Sequence, residues 1–120
     1  MMEAFWCYSP LTIQQAMERL QGEFRFLSAE YDYENVYEWF EVTSPDGLRL
    51  NVSRKHRDGE PDFADPVRIS ASAYQSADSL GDRLAICLGT TVYYGQVTYL
   101  GGDEFSYNEA SRFEPSEQHN

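Results

Sequence analysis

Apolar residues recur along this chain in two periods, and the changes of period mark its elements. Glu3 to Tyr8 reads as a short strand that buries Phe5, Trp6 or both. Ile13, Ala16, Met17 and Leu20 then fall at i, i+3, i+4 and i+7, the spacing of one helix face, with Gln14, Gln15, Glu18 and Arg19 on the wet side. Ser9 can cap the free N–H groups, Pro10 suits the first helical position, and Gly22 is expected to end the helix. From Glu23 to Lys55 the period becomes two, and strands are expected over Glu23 to Glu30, Asn35 to Thr43 and Leu48 to Lys55. The last alternates cleanly, Leu48, Leu50 and Val52 inward against Arg49, Asn51 and Ser53 outward. Before it, Ser44-Pro45-Asp46-Gly47 has the proline and glycine of a bulged hairpin turn.

His56 to Pro66 is polar and turn-rich and reads as a surface loop, and Val67 to Ala71 as a short strand or an extended lead-in. Ala77, Leu80, Leu84, Cys87 and Leu88 trace a second amphipathic helix, capped by Ser76 and stopped at Gly89, with Gly81 inside it at a cost of about 1 kcal/mol against alanine. Thr91 to Leu100 and Phe105 to Phe113 close the chain as two aromatic strands around Gly101-Gly102-Asp103. Tight turns make neighbours antiparallel, so the expected architecture is α+β: a mainly antiparallel sheet of five to six strands with two helices on one face, in the order β-α-β-β-β-(β)-α-β-β. Residues 1–114 form one domain in this reading, and 115–120 a frayed tail.

Composition narrows the function classes. The 120 residues suffice for one core, and 42% of them are hydrophobic. Twenty acids against nine bases leave a charge of -11, which disfavours nucleic acid as a partner because that affinity rests on neutralising phosphates. No charged leader precedes an apolar run and no stretch is long enough to span a bilayer, so a cytoplasmic protein is expected, with no membrane partner. Cys7 and Cys87 are distant, apolar in context and expected as free thiols, and neither has a histidine nearby, so no metal or cofactor is implied.

One motif points to an enzyme. Residues 101 to 105, Gly-Gly-Asp-Glu-Phe, resemble the signature pentapeptide of diguanylate cyclase domains, and that resemblance implies a hairpin tip approaching a guanine nucleotide, with Asp103 and Glu104 as catalytic or metal-binding residues. The family has a second metal-binding aspartate on an early strand, which finds no counterpart here, and a basic residue where Tyr99 stands. Gly-Gly-Asp is also ordinary turn chemistry. The expectation is therefore a structural turn and no catalytic residue, with a nucleotide-binding or cyclase-like protein as the alternative.

The charge map is more informative. Ser28 to Asp46 holds six acids and no base among five aromatic rings, whereas Leu48 to Arg57 holds four bases and no acid. If the strands carrying them pair, cross-strand contacts could cancel the two runs. If they do not cancel, carboxylates and stiff rings make a surface for a basic protein. The residues expected there are Glu30, Asp32, Glu34, Glu38, Trp39 and Glu41.

Tyr33-Glu34-Asn35-Val36-Tyr37-Glu38-Trp39, Leu50-Asn51-Val52-Ser53-Arg54 and the run from Leu84 to Gly95 resemble small cytosolic immunity proteins of bacterial contact-dependent and polymorphic toxin systems. That resemblance implies a short acidic α+β protein without catalytic residues, which blocks a cognate toxin, commonly a basic nuclease, by covering it.

Overall fold

A computed structural model describes residues 2–57, 60–61 and 63–115, without the side chains of Arg57, Glu60 and Pro61. The elements are β1 (Met2–Cys7), α1 (Ile13–Phe24), β2 (Ser28–Glu34), β3 (Tyr37–Thr43), β4 (Arg49–Arg57), β5 (Glu60–Pro61), β6 (Val67–Ser72), α2 (Ala77–Leu88), β7 (Val92–Gly101) and β8 (Glu104–Phe113). Seven strands form one sheet in the order β2-β3-β4-β6-β1-β7-β8, and the two-residue β5 pairs with β4 off that path. Every pairing is antiparallel. The α+β class thus holds, with more strands than the five to six expected, because Val67–Ser72 is a full strand inserted between β4 and β1.

Both helices cover the same sheet face. Phe5, Cys7, Val42, Leu50, Val52, Val67, Ile69 and Val92 point into a core completed by Ile13, Ala16, Met17 and Leu20 of α1 and Leu80, Leu84 and Leu88 of α2. Cys7 and Cys87 are both free. Burial pushes the Cys7 thiol up to about 12 and the Cys87 thiol to about 11, so both stay protonated at neutral pH. Among the described residues no helix is long and apolar enough to cross a membrane.

Several boundaries differ from the sequence reading for local reasons. Thr12, not Ser9, caps α1: its hydroxyl accepts from the Gln15 N–H while the Gln15 side chain accepts from the Thr12 N–H. Ser9 Oγ instead accepts from the Leu11 N–H in the approach. Helix α1 runs past Gly22 to Phe24 and ends at a left-handed Arg25. Burying Phe24 gains about 2 kcal/mol, more than the roughly 1 kcal/mol that an interior glycine costs. The strand expected over Glu23 to Glu30 therefore begins only at Ser28. It turns at Asn35, whose φ is +58°, straight into β3, so the acidic run is itself a hairpin.

Other expectations hold. Gly47 donates its N–H to the Ser44 carbonyl at 3.0 Å with φ at +94°, closing the β3–β4 turn. Ser76 and Gly89 bound α2 as expected. His56 lies at the end of β4 rather than in a loop, its N–H donating to the Val36 carbonyl at 2.7 Å. Of the expected tail, Pro115 is described and 116–120 lie outside the described residues.

Candidate functional site

The helix-free face of the sheet is concave, and the β7–β8 hairpin makes it so. Three strand spacings separate β7 from β4 along the sheet, roughly 14 Å if it were flat. Yet Lys55 on β4 lies 3.6 Å from Asp103 and 3.7 Å from Glu104 at the hairpin tip, and Tyr37 on β3 donates its hydroxyl to the Asp103 carbonyl at 3.1 Å. The hairpin curls over the open face, helped by register shifts at Tyr94/Gly95 and Tyr99/Gly101. Gly95 permits the first, because a Cβ there would run into the Asn108 carbonyl. Beneath the hairpin, Ala4, Trp6 and Val97 form a second small core with Tyr93, Phe105 and Tyr107.

Cross-strand register sets out the open face in rows. The central row reads Asp32, Trp39, Ser53, Arg68, Trp6, Tyr93 and Arg112 from one sheet edge to the other. To one side, Glu30 faces Glu41, which faces Asn51 and then Ser70; to the other, Glu34 faces Tyr37, which faces Lys55. Five of the six residues named from the sequence, Glu30, Asp32, Glu34, Trp39 and Glu41, therefore share this face. Glu38 does not: it has the opposite parity, and its carboxylate accepts from the Tyr31 hydroxyl at 2.7 Å on the helix side.

The basic strand lies directly beside the acidic hairpin, with Glu38 opposite Arg54 and Tyr37 opposite Lys55, but among the described side chains no ion pair joins the two. Arg54, fully buried, donates to the carbonyls of Leu11 at 2.5 Å, Ser9 at 2.8 Å and Asp65 at 3.3 Å. Lys55, 2% exposed, is ringed by Asp65 at 3.3 Å, Asp103 and Glu104. Burial alone would lower the Lys55 ammonium, but the three carboxylates outweigh it and hold it above its ordinary value. Among the described residues Glu30, Asp32, Glu34 and Glu41 make no ion pair. Glu41 accepts from Asn51 at 3.2 Å, and Arg49 lines the same hollow as Glu30 and Glu41 without pairing with either.

Among the described residues, two hollows on this face stand out. The first, about 490 Å³, lies between Glu30, Glu41, Arg49 and Ser70. The second, about 360 Å³, lies under the hairpin tip, lined by Glu34, Trp39, Ser53, Arg68, Tyr99 and Phe105 among others. Sequence reasoning missed the second because Arg68 and Phe105 meet only through the curl of the hairpin. The guanidinium of Arg68 lies 4.1 Å from the Phe105 ring centre and 5.6 Å from that of Tyr37.

The Gly-Gly-Asp-Glu-Phe turn is a docking element in this fold. Gly101 and Gly102 take positive φ, the Tyr99 hydroxyl donates to the Gly102 carbonyl at 2.7 Å, and both acidic side chains face Lys55. Among the described residues no group of three or more His, Cys, Asp or Glu is placed to hold a metal ion. Comparison with known protein families, curated proteins and solved structures finds no match for the chain.

Proposed function

We propose that this chain is a non-enzymatic binding protein, an immunity protein that neutralises a basic toxin domain, such as a nuclease, by laying its acid-edged open face on it. One observation supports this reading above the rest. Glu30 and Glu41 stand directly opposite each other on adjacent strands with no cation paired to either among the described residues, although a strand rich in bases runs alongside. Like charges so placed destabilise a sheet, and a cationic partner turns that cost into binding energy. Trp39, half-buried between Asp32 and Ser53 in its row, adds a stiff ring of the kind that anchors interfaces. Asp103 and Glu104, which a nucleotide enzyme would need free, are engaged by Lys55.

This reading predicts a toxin gene beside this chain's own, and the test is protection against the toxin that gene encodes. Cells producing that toxin's active domain should survive with the wild-type chain and not with Glu30→Lys combined with Glu41→Lys, whereas Glu38→Lys, on the opposite face, should still protect. Equal protection by all three chains would remove the acidic face as the binding surface. Failure of the wild type to protect or to bind the domain would remove the immunity reading.

A further inference from the structure

The sheet ends in two edge strands, and they differ in how open they are to further pairing. Edge β8 is interrupted: Ala110 is an extra residue between the pairs Tyr94 with Ser111 and Gly95 with Glu109, and a bulge of this kind blunts an edge. Edge β2 is in unbroken register with β3 over Ser28–Glu34, has no other strand beside it among the described residues, and is exposed at all seven positions.

Backbone alternation fixes what β2 turns outward. The His56 N–H donates to the Val36 carbonyl and the Leu27 N–H to that of Thr43, so β3 directs its even positions to β4 and its odd positions to β2. Ser28, Glu30, Asp32 and Glu34 face those odd positions, which leaves the N–H and carbonyl groups of Ala29, Tyr31 and Tyr33 pointing away from the sheet. The Tyr33 N–H donates to the Asp32 carboxylate at 2.8 Å. The N–H groups of Ala29 and Tyr31 and all three carbonyls meet no partner among the described residues. An extended chain laid along this edge would pair with them.

Side chains decide which chain fits. A second copy does not, because antiparallel pairing of β2 with itself would set Glu30, Asp32 and Glu34 against the same acids, and like charges directly opposite are destabilising. A basic strand is drawn by those carboxylates, none of which has an ion pair among the described residues. On the helix side the Tyr31 ring lies 5.0 Å from that of Phe40, and Tyr31 and Tyr33 remain 45% and 66% exposed, a ledge for apolar side chains. We propose that β2 takes an extended segment of a protein partner as an added antiparallel strand, with Lys or Arg opposite the three acids and apolar residues over the two tyrosines. This rests on the reading of the open face as the surface for a basic partner, and it adds the main-chain contact that holds the partner in register.

A capped seven-residue peptide alternating lysine and valine tests this at physiological salt, by NMR titration and amide hydrogen exchange of the full chain. It should bind saturably and slow exchange of the Ala29 and Tyr31 amides at least tenfold. The same peptide with glutamate for lysine should bind at least tenfold more weakly. So should the lysine peptide N-methylated at its valines, which keeps its charge but loses the donors an antiparallel strand turns to β2. Ala29→Pro removes an N–H that points away from β3, a position where an edge strand tolerates proline, and should weaken the peptide at least fivefold. If that variant unfolds, the N-methylated peptide tests the same contact on the unaltered chain. No saturable binding of the lysine peptide, equal binding of its N-methylated form, or equal binding by a folded Ala29→Pro would each overturn strand addition, and the protection test would still decide the immunity reading. Peptide binding as expected, in a chain that fails to protect, would remove the immunity reading and leave the edge a site for basic strands.

Discussion

Arg54 is the largest fully buried side chain, and its partners explain why a charge is tolerated there. Its forked N–H groups reach carbonyls from the approach to α1 and from the segment before β6, so one side chain ties two irregular stretches to the sheet. The Phe63 ring covers it at 4.6 Å. Arg54→Leu leaves these carbonyls without a donor and should cost about 3 kcal/mol, with Arg54→Lys recovering only part of that, as read from urea midpoints. Gly81 makes a sharper case because two residue-level rules disagree about it. Helix propensity says that alanine at this position stabilises α2 by about 1 kcal/mol. Packing says the reverse, since a methyl there would penetrate the Phe113 ring, which lies on β8 against the same helix. Gly81→Ala should therefore lower stability, by about 1–3 kcal/mol, and a raised melting temperature would show that the ring yields.

At the scale of elements, the β7–β8 hairpin shapes the open face, and Lys55 is the clasp that holds it down. Lys55→Met should release the tip and cost about 2 kcal/mol, less than breaking a fully enclosed pair because the three carboxylates remain 35–65% exposed. The pH dependence has a definite sign. The folded protein holds this ammonium above its ordinary value of 10.5, so the contribution is complete below that pH and disappears as pH rises through the folded value. The urea-midpoint gap between wild type and Lys55→Met should accordingly narrow above about pH 10.5; a gap that stays constant would mean the clasp is not electrostatic. Both helices and most of the strands were legible from periodicity, α2 down to its caps Ser76 and Gly89, but Glu23 and Phe24 belong to α1 and the strand expected from Glu23 begins only at Ser28. The curl was not, because it depends on a register shift at Gly95 that alternation cannot reveal. The start of α1 was misread because Ser9-Pro10 has the composition of a cap, while the reciprocal bonds of Thr12 and Gln15 occupy the real one. Of the candidate site, side-chain parity along Glu30, Asp32 and Glu34 was readable directly. Glu38 lay beyond that reading, since its face follows from where the hairpin turns, and that turn sits at Asn35.

Over the whole molecule, the net charge of -11 becomes a statement about direction. Among the described residues, internal ion pairs join Lys55 to the carboxylates under the hairpin tip, Arg83 to Glu23 between the helices at 3.1 Å, and Arg112 to Glu109 on β8 at 3.0 Å. The carboxylates left without an ion pair among the described residues include the four on the β2–β3 side of the open face. The field of that face should therefore be negative at the β2 edge and weaker toward Arg112 at the β8 edge, a gradient along the central row. A basic partner approaching such a surface is oriented before contact, which raises the association rate more than it slows dissociation. Raising salt from low to physiological strength shortens the reach of that field, so the association rate should fall steeply while dissociation changes little. Glu30→Lys with Glu41→Lys should remove most of this salt dependence, and Glu38→Lys much less, because its charge lies on the helix side. Stopped-flow association with the proposed toxin partner at several ionic strengths reads all three. A salt slope equal in the wild type and the double variant would place the steering charge elsewhere on the molecule and leave the acidic edge a local feature of the sheet.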